Sequence, residues 1–186
     1  AASLDWEADM GPLASQSQLR TVQGHVEDAV AKGATVLTGG RALPEVAATA
    51  YAPTVLTDVP ESADLYAAET FGPVVSLYRV ASDDEAVERA NDSEYGLNAS
   101  VWTRNAARGR RIAEQIRCGT VNVNEGYAAA WASTAAPMGG MRSSGVGRRH
   151  GVEGITKYTE SQTIAVQRLM SIAAPPGVSE QMWARI

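Results

Sequence analysis

Apolar residues recur at steps of three and four through residues 15–32, and this spacing predicts an amphipathic helix. Ser15 and Gln18 match a capping box, in which each side chain satisfies a free backbone N–H of the other residue. Gly33 follows at the place where a left-handed residue commonly ends a helix. The predicted apolar stripe consists of Leu19, Val22, Val26, Ala29 and Val30.

Short segments that favour β-structure then alternate with two further helical patterns. One helix is predicted to begin at the capping box of Ser82 and Glu85, and another follows Thr103 or Asn105 and runs to Ile116. This alternation is typical of an α/β fold, so we predict a parallel, doubly wound sheet. Ligands bind beyond the carboxyl ends of such strands, which directs attention to the loops before residues 74–80 and after residues 120–124. The predicted strands are residues 34–38, 53–59, 74–80, 98–102 and 120–124.

A period of two appears in residues 158–168 and predicts a strand near the C-terminus. An isolated strand leaves an edge unpaired and tends to add to another sheet. The pattern therefore also fits an alternative function, that of a non-catalytic structural or oligomerisation module. The tail contains Pro175 and Pro176 and is predicted to be irregular until Ser179, with one turn of helix around Met182.

The composition of the chain limits the classes of function that it can have. The chain has 186 residues and a net charge of −5, which gives no electrostatic footprint for nucleic acid. No apolar run approaches the roughly 20 residues that a bilayer requires, so no membrane role is predicted. One cysteine and two separated histidines offer little material for a metal site, and none is predicted. No signal peptide is visible, so we expect a cytoplasmic protein. The opening at Ala1, within polar sequence, suggests a piece of a longer chain.

Three side chains are candidates for a catalytic or ligand-binding role because of their residue type. Cys118 lies at a predicted helix-to-strand junction, where Arg117 could lower its pKa, but its apolar neighbours favour a packing role. Glu69 lies in a loop before a strand and could accept hydrogen bonds from a sugar diol, although loop glutamates are more often simply solvated. Phe71 could offer a flat apolar wall to a heteroaromatic ring.

The segment around these two loop residues carries a family resemblance. Residues 69–74 read Glu-Thr-Phe-Gly-Pro-Val, which resembles the E-x-F-G-P-V segment of the aldehyde dehydrogenase superfamily. The resemblance spans about residues 10–169, and residues 124–127 and 159–165 most resemble the succinate-semialdehyde dehydrogenases of actinobacterial type. The other matching segments are residues 11–13, 51–56, 90–97, 101–104, 119–124, 137–148 and 157–160.

The resemblance implies a domain organisation. Residues 1–154 would form an incomplete aldehyde dehydrogenase catalytic domain, residues 155–170 an oligomerisation strand and residues 171–186 an irregular tail. In the family, the nucleotide-binding domain, the nucleophilic cysteine and the glutamate base all precede the segment that resembles residues 11–13. Cys118 is therefore not the family nucleophile, and this chain is expected to contain no catalytic residue. Without the missing N-terminal part of the enzyme, it is expected to be inactive.

The resemblance also implies site residues. Glu69 resembles the residue that hydrogen-bonds the nicotinamide ribose of NAD(P)⁺, and Phe71 resembles its neighbour beside the nicotinamide. The loop of residues 125–136 resembles the one that lines the aldehyde entrance. In that loop Tyr127 and Trp131 would form apolar walls, and Ser133 lies near a position that can hydrogen-bond a substrate carboxylate.

The implied activity is that of an oxidoreductase. The intact enzyme would oxidise an aldehyde, expected to be succinate semialdehyde, to a carboxylic acid with NAD(P)⁺. A cysteine thiolate would attack the aldehyde to give a thiohemiacetal, oxidation would give a thioester, and water would release the acid. The family also implies a homodimer or tetramer assembled through residues 158–168.

Overall fold

The computed structural model describes residues 9–168 and 173–185, which form an α/β arrangement of seven α-helices and five short strands. The five strands predicted between residues 34 and 124 and the three predicted longer helices are present, with somewhat shorter bounds. The helices are α1 (Gln16–Ala31), α2 (Asp64–Ala67), α3 (Asp83–Asn91), α4 (Ala106–Ala113), α5 (Ala128–Ala132), α6 (Glu153–Thr156) and α7 (Glu180–Trp183), and Arg142–Ser144 forms a 3₁₀ turn. The strands are β1 (Thr35–Thr38), β2 (Thr54–Thr57), β3 (Val74–Leu77), β4 (Asn98–Val101) and β5 (Thr120–Val123).

Parallel pairing is present, but the strands of the described residues form two sheets instead of one. β2 pairs with β3 in parallel, and β4 pairs with β5 in parallel. β1 pairs with β2 in antiparallel fashion. The connection from β1 to β2 carries no crossover helix, which a parallel pair usually needs, and it folds back through a bridge between Ala42 and Tyr51. The predicted α/β class is confirmed, and the pairing of β1 is the exception to the predicted parallel sheet.

The larger core lies between α1 and the three-stranded sheet. Val22 of α1 and Leu56 of β2 are fully buried, and the rest of the predicted apolar stripe is buried beside them except Val30, which lies at the exposed margin. The predicted N-cap is confirmed, because the Ser15 hydroxyl accepts a hydrogen bond from the Gln18 backbone N–H at 3.1 Å. Gly33 ends the helix with a φ of 109°.

The second sheet packs with α4 and with the segment that follows α5. Asn105 caps α4 by accepting from the Arg108 backbone N–H, and the Arg108 guanidinium forms an ion pair with Asp83 of α3. Cys118 is 9% exposed where α4 leads into β5, in agreement with the predicted packing role. Met138 is also buried and forms a bridge with Arg149, which closes the turn between them.

The predicted strand over residues 158–168 does not form in the single chain. Its backbone has no regular structure and its side chains are exposed, with Ile164 81% exposed. A strand requires a hydrogen-bonding neighbour, and the described part of the chain supplies none to this segment. The predicted turn of helix around Met182 is confirmed as α7, capped by Ser179. Residues 169–172 and 186, which complete the predicted strand region and tail, lie outside the described residues.

The described helices are all too short or too polar to cross a bilayer.

Candidate functional site

The loop of residues 69–73 is fixed on the surface of α1. The Gln18 side-chain amide donates to the Thr70 carbonyl at 2.7 Å and to the Phe71 carbonyl at 3.1 Å. The predicted capping box is therefore only half correct, because the Gln18 side chain bonds this distant loop and not the start of its own helix. His25 Nδ1 lies 3.1 Å from the Thr70 hydroxyl and adds a second polar contact.

The loop backbone also lies directly against the helix. A Cβ atom at Gly72 would overlap Cγ2 of the buried Val22, so only glycine allows this approach. The next residue, Pro73, accepts a hydrogen bond through its carbonyl from the Thr54 backbone N–H at 2.8 Å. The loop is thus fastened to α1 on one side and to β2 on the other.

This fixed loop presents Phe71 to solvent. Phe71 has a φ of 47°, in the left-handed region that non-glycine residues seldom adopt, and its side chain is 72% exposed. The fixed backbone therefore holds a large apolar ring in solvent, where it is accessible to a ligand.

Glu69 lies at the edge of a cavity of about 290 Å³. Tyr95, Leu97, Cys118 and Ser144 contribute to the same cavity. The negative charge of Glu94 raises the pKa of Tyr95 at this cavity, and desolvation and Glu69 add to the effect. Arg117 contributes a positive charge to the same lining. The exposed carboxylate of Glu69 can accept hydrogen bonds from donors such as hydroxyls.

The loop of residues 125–136 begins with a tight turn that Glu125 stabilises. Its carboxylate accepts hydrogen bonds from the backbone N–H groups of Gly126, Tyr127 and Ala128, at 2.8, 3.2 and 3.3 Å. These three bonds hold the pKa of Glu125 below its usual value. Glu125 is thus a structural residue at the start of α5, and it places Tyr127 at the mouth of the loop.

Tyr127 contributes to a second cavity of about 270 Å³, and its hydroxyl lies 3.8 Å from the buried Met138 sulfur. Leu97 and Ser144 line both this cavity and the Glu69 cavity, so the two are neighbours across a shared wall. The structure therefore places Glu69 and Tyr127 in the linings of two adjoining cavities.

The remaining predicted residues lie at the margin of this region. The Trp131 ring, on α5, is 65% exposed, and Ser133 is half-buried just after that helix. Among the described residues, Phe71, Trp131 and Ser133 do not belong to the lining of either cavity. Their predicted roles as cofactor and substrate contacts stay predictions.

The shared wall consists of two segments that are joined through backbone hydrogen bonds and through the side chains of Arg142 and Ser144. The Met141 and Ser143 N–H groups donate to the Gly96 and Glu94 carbonyls at 2.8 and 2.9 Å. The Ser144 hydroxyl accepts from the Gly96 N–H at 2.9 Å. Sequence reasoning matched both segments to the family but assigned neither a role, because their partnership spans almost fifty residues of chain.

A hydrogen bond of Tyr66, in the helix that precedes the Glu69 loop, gives a pH-dependent prediction. The Tyr66 hydroxyl of α2 donates to Asp92 at 2.6 Å, which raises the pKa of Tyr66 from 10.0 to about 12. The folded state thus holds this proton more tightly than the unfolded chain. Its stabilising effect is present below pH 10 and is lost as the pH rises from 10 to about 12.

Ultraviolet difference titration checks this expectation. Subtracting the titration of Tyr66→Phe from that of the unchanged chain should leave one phenol that ionises near pH 12, and Asp92→Asn should move that transition back toward 10. A difference curve centred at the ordinary tyrosine pKa would contradict the assigned hydrogen bond.

Comparison with known proteins agrees with this architecture. The model of the aldehyde dehydrogenase family matches residues 1–164. A Mycobacterium tuberculosis protein named as a succinate-semialdehyde dehydrogenase for NADP(+) is 59% identical over 181 residues, which are 97% of this chain and 35% of that protein. A protein of Mycolicibacterium smegmatis with the same type of name is 57% identical over 185 residues, covering 100% of this chain and 36% of the relative.

A solved structure shows the same relation in three dimensions. The NAD+ complex of an aldehyde dehydrogenase from Bacillus cereus superposes with a TM-score of 0.75 at 40% identity, covering 84% of this chain and 31% of that one. The chain spans about a third of the length of the curated relatives it matches. The fold, the order of its motifs and these matches agree, and the chain belongs to the aldehyde dehydrogenase family.

Proposed function

We propose that this chain is the part of an NAD(P)⁺-dependent aldehyde dehydrogenase that orients the nicotinamide end of the cofactor and lines the aldehyde entrance. One observation carries the proposal: Phe71 is exposed although its backbone is fixed on α1, and the exposed Glu69 stands two residues away at a cavity. In the intact enzyme we propose that the substrate is succinate semialdehyde and the product the corresponding dicarboxylic acid.

The residues present suit the cofactor. An exposed phenyl ring can pack against a heteroaromatic ring, and an ionised carboxylate accepts strong hydrogen bonds from a diol. NAD(P)⁺, when bound, supplies the acceptor for the two electrons of aldehyde oxidation. Glu69 and Phe71 bind and orient it, and a well-oriented reacting pair gains several orders of magnitude in rate.

The Tyr127 cavity suits a substrate that carries a carboxylate. Arg148, Arg149 and Lys157 contribute to its lining together with Tyr127. Cationic side chains raise the local concentration of an anionic substrate, so this cavity favours a semialdehyde acid over a neutral aldehyde. We further propose that Trp131 supplies an apolar wall at the mouth and that Ser133 hydrogen-bonds the substrate carboxylate.

The unpaired strand edges support the proposal that the rest of the enzyme packs against this chain. Within the described residues β3 and β4 each have one unpaired edge, and Val75 and Leu77 of β3 are about half exposed. Parallel strands are normally covered on both faces. We propose that the remaining polypeptide of the enzyme covers these surfaces and brings the nucleophilic thiol, since Cys118 is buried. The predicted cytoplasmic location remains part of the proposal.

A fusion enzyme tests this function. The residues of the Mycolicibacterium smegmatis relative that precede its matched region are joined to this 186-residue chain, and reduction of NADP⁺ is followed with succinate semialdehyde. We expect turnover by the fusion enzyme and none by the 186-residue chain alone, because the chain lacks the family nucleophile. Turnover by the chain alone, or a folded fusion enzyme without turnover, would contradict the proposal.

Self-assembly is a second candidate function, which residues 158–168 favour. Tyr158, Ile164 and Val166 are each more than two-thirds exposed, and their spacing is that of a strand. We propose that this segment pairs with the sheet of another subunit to give a dimer or tetramer. The two functions are compatible.

Light scattering checks the assembly. The full chain is expected to have at least twice the mass of the monomer, and a version that ends at Gly154 is expected to be monomeric. A full chain with Ile164→Lys and Val166→Lys serves as the control for truncation, because it keeps the length and removes the apolar face. Equal masses for all three would argue against assembly through this strand.

A further inference from the structure

We propose that Gln18 is a positioning residue for the cofactor loop: its side chain fixes the backbone on both sides of Phe71 and so sets the direction of the exposed ring. The inference rests on the proposed function, because it assumes that Phe71 and Glu69 meet the cofactor. Gln18 itself lies on α1 and acts through the loop.

Three contacts on one face of α1 support the proposal. Gln18, Val22 and His25 follow each other at steps of four and three, so they lie on the same side of the helix. Gln18 bonds two loop carbonyls, Val22 meets the backbone of Gly72, and His25 contacts the side chain of Thr70. The regular helix α1 therefore holds the irregular loop of residues 69–73 in its conformation.

The contact of Gln18 is the one that acts on the strained residue. The carbonyls of Thr70 and Phe71 belong to the two peptide groups that flank the Phe71 Cα atom. Holding both peptide groups restricts φ and ψ of Phe71, whose φ of 47° is disfavoured for a residue with a Cβ atom. Without these bonds, the loop backbone is free to relax toward negative φ and to turn the ring.

The chemistry requires a donor at this position. A glutamine amide donates two N–H bonds, whereas a glutamate of the same size and shape donates none when ionised and repels two carbonyl oxygens. Gln18 is also the third residue of α1, where glutamate favours the helix through capping and the macrodipole. Gln18→Glu is therefore expected to loosen the loop while it preserves the helix, which separates positioning from general stability.

Gln16 provides a matched control. Its side-chain amide also donates to a backbone carbonyl, that of Ala48, at 2.6 Å, and it lies in the same first turn of α1. Gln16→Glu thus changes the same charge and removes the same type of hydrogen bond, but at a loop distant in sequence from Phe71.

The first test observes the loop in the full 186-residue chain. Phe71 is the single phenylalanine of the sequence, so carbon-13-labelled phenylalanine gives one Cα signal, whose position reports its backbone angles. We expect Gln18→Glu to move this signal toward the random-coil value and to speed amide exchange in residues 70–72 by about tenfold. Gln16→Glu should leave both unchanged, and Gln18→Lys, which restores a donor, should reverse part of the shift. An unchanged Cα signal in Gln18→Glu overturns the inference.

The second test uses the fusion enzyme and compares Gln18→Glu with Glu69→Gln and Gln16→Glu. We expect Gln18→Glu to lower kcat by about tenfold, with little change in the KM for succinate semialdehyde and in the thermal midpoint. If Glu69→Gln impairs turnover and Gln18→Glu matches Gln16→Glu, the inference fails and the proposed function stands. If neither Glu69→Gln nor Gln18→Glu has an effect, the loop does not serve the cofactor and the proposed function fails as well.

Discussion

Gly119→Ala is expected to destabilise the chain by about 3 kcal/mol, the upper end of what overpacking usually costs. A Cβ atom at Gly119 would overlap the Gly139 carbonyl oxygen and crowd the Gly140 Cα atom, and both of these are backbone atoms. The Gly119 N–H also donates to the Gly96 carbonyl at 2.9 Å, so the strand cannot move away without loss of that bond. The substitution should therefore separate β5 from the turn at Gly139.

Gly24→Ala is the matched control, and it is expected to increase the stability of the chain instead of lowering it. Gly24 lies on the exposed side of α1, and a Cβ atom there would meet nothing within 4 Å. Alanine in a helix interior is favoured over glycine by about 1 kcal/mol, so this variant should gain stability. Urea unfolding of the two variants and the unchanged chain gives both differences. Equal unfolding midpoints for Gly119→Ala and the unchanged chain would refute the close contact.

Glu69→Gln is expected to lower kcat/KM for NADP⁺ in the fusion enzyme by about 10- to 100-fold, the range that misplacement of a reacting group produces. The substitution keeps the size of the side chain and removes its charge, which weakens the hydrogen bonds that we propose it accepts from ribose hydroxyls. The free energy of unfolding should not change, because Glu69 is exposed. Steady-state kinetics at varied NADP⁺ measures the effect.

Glu88→Gln controls for the loss of one negative charge. Glu88 is exposed on α3, away from the Glu69 loop in sequence, and its substitution should leave kcat/KM unchanged. Equal kcat/KM values in Glu69→Gln, Glu88→Gln and the unchanged fusion enzyme would remove Glu69 from the cofactor site.

Local signals predicted the elements of the fold well. Each of the longer helices begins at a residue that the sequence marks as an N-cap. The side chain of this residue accepts a hydrogen bond from the first turn of the helix, and the three N-caps are Ser15, Ser82 and Asn105. Helices α2 and α6, of four residues each, are too short to show a period and were not predicted.

Long-range partnerships account for what the sequence could not predict. Gln18 bonds a loop 52 residues away, although its local pattern indicated a partner in its own helix. Residues 158–168 have the period of a strand, but a strand also needs a neighbour, and periodicity does not say where that neighbour lies. The proposed site shows the same limit, because motif resemblance pointed to Glu69 and Phe71 but not to the face of α1 that contacts their loop.

The wall between the two cavities has a consequence for how their shapes can evolve. Its two segments are joined by main-chain hydrogen bonds and by side chains of the second segment, among them Arg142, which donates to the Asn91 and Ser93 carbonyls. Leu97 contributes to both cavities and makes none of these side-chain bonds. A single substitution at Leu97 can therefore alter the volume of both cavities while the bonds that join the two segments stay in place.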